Sequence, residues 1–331
     1  MQDIKIIQIG LGPLGIKIAN FIKERKGLLT VAAVDKDPNL IGKDLGLICG
    51  GDASGILIQS ELNQAVAKEK PDIAVLTTVS DMQRITPQIE EIVALGIPVV
   101  STCEELCYPW ETAPLLVKRI DEAAKQNNVA VVGTGVNPGF LMDALPTFLT
   151  AVCQNVTSVQ VNRYQDAQFR RLPFQKKIGA GLTLGEFEQK KQDGSLRHVG
   201  LTESMQFIAH RMGWKLTKTE DIIEPVIAEA DLQTKDLRIE KGQARGVRQI
   251  GNGYVGGEMK VHLVFQATVG EPESYDEIII KGNPNIISRI SGGVNGDVAT
   301  CAIVLNAIPQ VLRAKSGLQT MADIPLVAFF A

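Results

Sequence analysis

The chain has 331 residues, enough for two domains with well-formed cores. Its 45% hydrophobic content suits a globular protein, and no apolar run reaches the about 18 residues of a membrane span. A net charge of −3 gives neither nucleic acid nor an anionic membrane an electrostatic reason to bind.

Ile4 to Ile9 read as a buried strand, and Gly10-Leu11-Gly12-Pro13-Leu14-Gly15 follows at once. An amphipathic segment runs on to about Lys26. Leu29 to Val34 form a second strand that ends in Asp35, about 20 residues after Gly15. Strand, glycine turn, helix, strand and acid together make a dinucleotide-binding fingerprint. Gly10 allows the tight turn, Gly12 lets the backbone approach a pyrophosphate, and Gly15 lets the helix pack closely on the sheet. Pro13 and Leu14 open a helix whose free N–H groups face the phosphates. Asp35 is placed to accept from both adenosine ribose hydroxyls and to repel a 2′-phosphate, which favours NAD. Lys36 beside it softens that preference, so NADP stays possible.

Short apolar runs recur at Ile56 to Ile58, Ile73 to Thr77, Pro98 to Ser101 and Val129 to Gly133. Helical-period segments lie between them at Glu61 to Lys68, Met82 to Leu95 and Pro114 to Asn127. In the last, Leu115, Leu116, Arg119, Ile120 and Ala123 share the periodic stripe. This alternation predicts a Rossmann-type doubly wound parallel sheet with right-handed crossovers. The pattern changes near Asn137-Pro138-Gly139. Val156 to Tyr164 is a longer strand and Thr202 to Met212 is helical. Then Met259, Val261, Leu263, Phe265 and Val269 alternate with Lys260, His262, Gln266 and Thr268. A second α+β domain with a mostly antiparallel open sheet is expected. Val298 to Ala314 reads as a helix returning to the first domain. The expected domains are 1–140 with 298–331 for the dinucleotide, and 141–297 for substrate binding and dimerisation.

Only three histidines accompany five scattered cysteines (Cys49, Cys103, Cys107, Cys153 and Cys301) with no C-x-x-C. No metal is expected, and free thiols in a reducing cytoplasm fit best. A strand pattern that starts at residue 4 leaves no room for a signal peptide.

Ligands of open α/β sheets sit beyond the carboxyl ends of the strands. Three such ends carry candidate chemistry. Thr77 and Thr78 follow one strand. Ser101 and the adjacent acids Glu104 and Glu105 follow the next, where a partly enclosed carboxylate is a usable proton donor or acceptor. Two neighbouring acids cannot both face the same way, and their spacing leaves open which one does. Gly133-Thr-Gly-Val-Asn-Pro-Gly139 allows close backbone approach to a flat ring, with Asn137, Pro138 and Gly139 as contacts. Asn295, in the late glycine-rich run, is a further cofactor candidate, with Asp297 as a helix N-cap. Candidate substrate residues are Phe140, Arg163, Tyr164, Arg170, Arg171, His198 and Glu203, with Leu141, Phe169 and Leu172 as apolar wall.

Several of these runs together resemble one family. They are the N-terminal fingerprint, Ser101-Thr-Cys-Glu-Glu-Leu106 with Tyr108-Pro109, Gly133 to Asp143, and Gly292-Gly-Val-Asn-Gly-Asp-Val-Ala-Thr300. The chain is similar along nearly its whole length to the 2,4-diaminopentanoate dehydrogenase and native amine dehydrogenase family, related in fold to dihydrodipicolinate reductase. The resemblance implies NAD(P)-dependent oxidative deamination of an amine to a ketone and ammonia, and the reverse reductive amination. It also implies a homodimer built through the second domain's sheet, and a glutamate after the fifth expected strand as acid/base. Glu104 is the match, with Glu105 as fallback. The chain lacks the His-His-x-x-Lys motif of dihydrodipicolinate reductases proper, which counts against a cyclic-imine reductase. A non-catalytic NAD-binding sensor is the remaining alternative. For a diamino acid, Arg163 or Arg170 would hold the carboxylate and Glu203 the second ammonium.

Overall fold

The computed structural model describes residues 3–170, 172–196 and 198–330. From the N-terminus, strands and helices alternate: β1 (Ile4–Ile9), α1 (Pro13–Glu24), β2 (Leu28–Val34), α2 (Leu45–Ile48), α3 (Leu62–Ala65), β3 (Ile73–Leu76), α4 (Met82–Ala94), β4 (Val99–Ser101), α5 (Pro114–Gln126) and β5 (Ala130–Gly133). The middle of the chain contributes α6 (Ala144–Leu149), β6 (Asn155–Asp166), α7 (Leu172–Lys177), α8 (Leu184–Gln192), α9 (Leu201–Arg211) and β7 (Lys218–Ile227). The short pair β8 (Leu232–Gln233) and β9 (Arg238–Ile239) precedes three long strands, β10 (Ala244–Val255), β11 (Glu258–Thr268) and β12 (Tyr275–Asn283). The chain closes with β13 (Ile286–Ser291), α10 (Gly296–Val311) and β14 (Gly317–Gln319). It divides into two compact units, Met1–Phe140 with Asn295–Ala331, and Leu141–Val294.

The first unit is an open sheet in the order β14-β5-β4-β3-β1-β2. Every pairing in it is parallel. Helices cover both faces of such a sheet, so its strands are apolar throughout rather than alternating. All four residues of β3 and all four of β5 are buried. On α4, Ile85, Ile89, Ile92 and Val93 recur at helical spacing and are buried with Ile7, Leu76 and Val99. Leu116, Val117, Ile120 and Ala124 make the equivalent stripe on α5. Leu115, grouped with that face by its sequence neighbours, is exposed.

The second unit has a six-stranded sheet in the order β13-β12-β6-β11-β10-β7. Its pairings are antiparallel except β6 with β11, which is parallel. The inward residues Val261, Leu263 and Phe265 of β11 are buried as their alternation requires. Met259 leaves that face, because a register shift at Gly253/Tyr254 adds a residue to β11. One inward charge is part of this core. Arg163, 2% exposed, donates to Asp276 at 2.8 Å and to the Val294 carbonyl at 2.9 Å. Burial pushes the Arg163 guanidinium down and the Asp276 carboxyl up, and each partner opposes the other's shift.

Several boundaries depart from the sequence reading. Ile56 to Ile58 is not a strand; Leu57 makes an isolated bridge to Asp44, and Gln59 just beyond makes one to Val34. Its backbone pairs instead with the preceding loop: Leu45 N–H donates to the Ile56 carbonyl, Ile58 N–H to the Lys43 carbonyl and Gly42 N–H to the Ile58 carbonyl. The Asp44 carboxylate accepts the N–H groups of Gly46, Leu47, Ser54 and Gly55 and so fixes the turn that leads into the segment. Val99–Ser101 is therefore the fourth strand of the chain, not the fifth. The expected helix from Glu61 to Lys68 is a single turn. The cap of α10 is Asn295, whose side-chain oxygen accepts from Asp297 and Val298 N–H, and not Asp297. That cap places the return to the first unit at Asn295 rather than Val298.

Removing one member of a buried ion pair strands the other charge. Asp276→Ala is expected to destabilise the second unit by about 3–5 kcal/mol. Urea unfolding followed by tryptophan fluorescence and circular dichroism would measure it, and a loss within 1 kcal/mol, on the scale of an ordinary exposed pair, would contradict it.

Candidate dinucleotide and catalytic site

The first unit carries a cleft of about 480 Å³ at the carboxyl ends of β1, β2 and β3. Gly10, Gly12, Asp35, Thr77 and Thr78 all line it. Gly10 has φ +89°, and a Cβ there would lie 2.8 Å from the Thr77 carbonyl oxygen. A Cβ on Gly15 would collide with the Gly10 carbonyl. Around Gly12 the space is open, with nothing within 4 Å of a built Cβ. Gly12 is the N-cap of α1, and Pro13 at the first helical position lacks an N–H that would need a partner. Leu14 is half-buried in the same turn.

Two side chains, buried Gln8 and half-buried Thr77, hold this turn from below. The Gly10 carbonyl accepts from Gln8 Nε2 at 3.0 Å and from Thr77 Oγ1 at 2.8 Å. Gln8 also donates to Thr77 Oγ1 at 2.9 Å. Asp35 holds it from the side, because Leu11 N–H donates to its Oδ2 at 2.6 Å and Asp37 N–H to its Oδ1 at 2.8 Å. A carboxylate carries about four acceptor positions, so capacity remains for ribose hydroxyls. The open space at Gly12, the free helix N-terminus and Asp35 together fit a dinucleotide.

The cleft also has a wall that the motif search did not reach. Arg84, Gln88 and Glu91 of α4 line it. Their i, i+4, i+7 spacing makes one polar stripe, and that periodicity was the signal available in the sequence. Gln88 is fixed by Thr78 Oγ1, which donates to its Oε1 at 2.8 Å.

The carboxyl end of β4 separates the paired acids. Glu105 Oε2 accepts the N–H of Met82, the first residue of α4, at 2.8 Å, and Glu105 N–H donates to the Ser80 carbonyl. Glu105 thus completes the cap of α4 beside Asp81, which accepts from Arg84 N–H. Glu104 precedes the short 3₁₀ turn Glu105–Cys107, is half-buried, and caps nothing with its side chain. Cys103 is buried, and burial holds its thiol far above the usual range, so it is no nucleophile.

Other expected residues serve the fold. Ser101 is buried; its hydroxyl donates to the Leu76 carbonyl and accepts from Cys103 N–H, which ties β4 to β3. Asn137, Pro138 and Gly139 form a turn wrapped so tightly that a Cβ on Gly139 would strike the Gly135 backbone. Thr300 on α10 braces the same loop, accepting from Val136 N–H. Asn295 spends its side-chain oxygen as the cap of α10.

The second unit does not gather the expected substrate residues into one wall. Phe169 is 89% exposed. Arg170 lies 4.1 Å over the Phe174 ring, and Arg171 is outside the described residues. Tyr164 stacks on Tyr275 at 4.9 Å. Its neighbour Arg163 points to the opposite sheet face, as strand alternation demands. His198 belongs to that opposite face. Its ring packs edge-on against Phe265, the register partner of Arg163, and its backbone is clasped by Gln249. Burial, reinforced by Lys177 and Arg163, pulls the imidazole down to about 3, so it is neutral near pH 7. Phe140 is half-buried at the end of the first unit, and Leu141 is buried at the start of the second. A buried contact beside Glu203 joins the start of α6 to α9; of its members only Ser204 was not singled out in the sequence. Ser204 Oγ donates to Asp143 at 2.9 Å, with Glu203 buried alongside in sequence.

A cradle of this kind at strand ends serves a nicotinamide dinucleotide, which makes the chain an oxidoreductase. Its family is shown by likeness to known proteins. Residues 140–330 match the 2,4-diaminopentanoate dehydrogenase C-terminal domain, and residues 4–103 match the dihydrodipicolinate reductase N-terminus. The chain is 33% identical to the 2,4-diaminopentanoate dehydrogenase of Acetoanaerobium sticklandii, over 98% of its own length and 94% of that protein's. It belongs to the 2,4-diaminopentanoate dehydrogenase family. Its fold is also that of an amine dehydrogenase from Mycobacterium smegmatis, with a TM-score of 0.85 and 22% identity over 99% of this chain and 98% of that one. A dipicolinate-bound dihydrodipicolinate reductase from Paenisporosarcina shares the fold more distantly, with a TM-score of 0.54 and 13% identity over 97% and 98%.

Two outcomes test this geometry. Gly12→Ala is expected to keep folding stability within about 1 kcal/mol, because its Cβ meets no atom. It should nonetheless weaken NADH binding at least tenfold in a fluorescence titration, whereas Gly15→Ala should lower the melting temperature as well. For His198, the folded-state value of about 3 lies below the unfolded value near 6.5. Its contribution is therefore complete above the unfolded value and is lost as pH falls from about 6.5 toward 3. His198→Gln should flatten that acid limb of stability, and an unchanged limb would place the sensitivity elsewhere.

Proposed function

We infer that the protein is an NAD-dependent amine dehydrogenase with Glu104 as its acid/base. Its reaction is the oxidative deamination of a 2,4-diaminopentanoate-like amine to a ketone and ammonia, with reductive amination as the reverse. The observation that carries the role of Glu104 is the commitment of Glu105 to the α4 cap. This leaves Glu104 as the half-buried carboxylate at the end of β4 that caps nothing. The family relationship supports the substrate class.

The bound nicotinamide supplies hydride exchange with the substrate carbon. In the amination direction, the Glu104 carboxylate takes a proton from ammonium, and the amine adds to the ketone. The same group returns the proton to the departing hydroxyl of the carbinolamine, and its negative charge stabilises the iminium that forms. In deamination, Glu104 accepts a proton from the water that attacks the iminium. Asp35 orients the adenosine ribose, and the α1 N-terminus with Gly12 receives the pyrophosphate.

For the substrate's two charged ends, Arg170 is the proposed carboxylate partner and Glu203 the proposed ammonium partner. Arg163 is excluded by its pairing with Asp276. Phe140, Tyr164 and Phe169 remain candidates for apolar contact. The assembly proposed is a homodimer through the second unit's sheet, in the cytoplasm. A cyclic-imine reductase is the second reading, favoured by the match of residues 4–103 to the dihydrodipicolinate reductase N-terminus. The absence of a His-His pair in the sequence speaks against it.

NADH oxidation with 2-amino-4-oxopentanoate, measured with and without ammonium, separates the two. Dependence on ammonium is expected, and turnover of a cyclic imine without ammonium would favour the second reading. Glu104→Gln should reduce the ammonium-dependent rate about 10²–10⁴-fold while NADH still binds. Glu105→Gln keeps an acceptor for Met82 N–H and should retain activity. The reverse pattern would give the acid/base role to Glu105.

A further inference from the structure

The dinucleotide cleft holds a lysine where an NADP site would want one, next to an acid that should exclude NADP. Lys36 follows Asp35, and both line the cleft. Yet Lys36 Nζ is bound to Glu61 Oε1 at 2.9 Å. Backbone structure brings the two together. The isolated parallel bridge Val34–Gln59 extends the edge of β2, and Asp35 N–H donates to the Gln59 carbonyl at 3.1 Å. The residues just beyond, Lys36 and Glu61, therefore emerge side by side. Ser60, between Gln59 and Glu61, also lines the cleft.

We propose that Glu61 is a cofactor-specificity residue: it holds Lys36 away from the adenosine ribose and so keeps the site selective for NAD over NADP. Asp35 favours a free 2′-hydroxyl by accepting from it, and repels a 2′-phosphate. A 2′-phosphate would need a cation to offset that repulsion, and Lys36 is the cation at hand. Glu61 occupies it. Arg84, the cleft's other cation, has its own carboxylate in Asp81 at 3.8 Å. The Lys36–Glu61 pair is open to solvent, with side chains 72% and 55% exposed. It is thus a weak latch whose release costs the fold little. Glu61 is the N-cap residue of α3, but its side chain caps no N–H, so replacing the carboxylate removes no helix cap.

The proposal rests on the dinucleotide site and not on the identity of the amine. Its test is the dissociation constants of NADH and NADPH, from nucleotide fluorescence titration of the wild type, Glu61→Gln and the double variant Lys36→Met/Glu61→Gln. The wild type should prefer NADH. Glu61→Gln should tighten NADPH about threefold to fivefold, the upper scale of one exposed charge pair, and leave NADH within about twofold on the same scale. The double variant should lose the gain. An unchanged NADPH affinity in Glu61→Gln would overturn the proposal. So would an equal gain for both nucleotides, or a gain that survives removal of Lys36, since either would reflect the general field of the cleft. A wild type that already binds NADPH as well as NADH would also overturn it. Failure of NADH itself to bind would instead overturn the dinucleotide site.

Discussion

Everything at the dinucleotide end of the molecule depends on the close approach of α1 to the carbonyl of Gly10. Gly15 sits where any side chain would strike that oxygen. The oxygen is held there by Gln8 and Thr77 from two neighbouring strands. The turn is thus fixed from two strands, and it opens onto the space around Gly12. Asp35 locks the same turn from the side through Leu11 N–H. A residue usually read only as a ribose acceptor is thus also a structural partner of the glycine loop. A loop held from below and from one side is preorganised for phosphate and need not be ordered on binding.

The division of labour between Glu104 and Glu105 follows from the same economy of hydrogen bonds. A helix N-terminus leaves backbone N–H groups that need acceptors, and α4 begins close to the end of β4. Asp81 satisfies one of them and Glu105 another. An acid used in this way is tied to the scaffold. Its neighbour Glu104 precedes the 3₁₀ turn, caps nothing with its side chain and is the proposed acid/base.

In the second unit the pleat of the sheet decides what each side chain can do. Arg163 and Tyr164 are adjacent in sequence and look equally suited to a substrate. One is buried against Asp276, and the other stacks on Tyr275 from the opposite face. His198 is half-buried against Phe265, and burial together with Lys177 and Arg163 keeps its ring neutral near pH 7.

The sequence by itself determined the doubly wound sheet, the glycine turn and Asp35. These depend on local spacing and on apolar runs that alternate with helical periodicity. It also singled out two adjacent glutamates, Glu104 and Glu105, as candidates for the proposed acid/base. Only tertiary structure decided between their surroundings, because the start of α4 that claims Glu105 lies more than twenty residues earlier in the chain. The same holds for Ile56 to Ile58, whose apolar run resembles a strand but whose backbone pairs with the loop at Gly42 to Leu45. It holds for the Lys36–Glu61 pair and for the burial of Arg163, each of which joins residues distant in sequence. Spacing along the chain records periodicity and turns; it does not record which distant group satisfies a given charge or N–H.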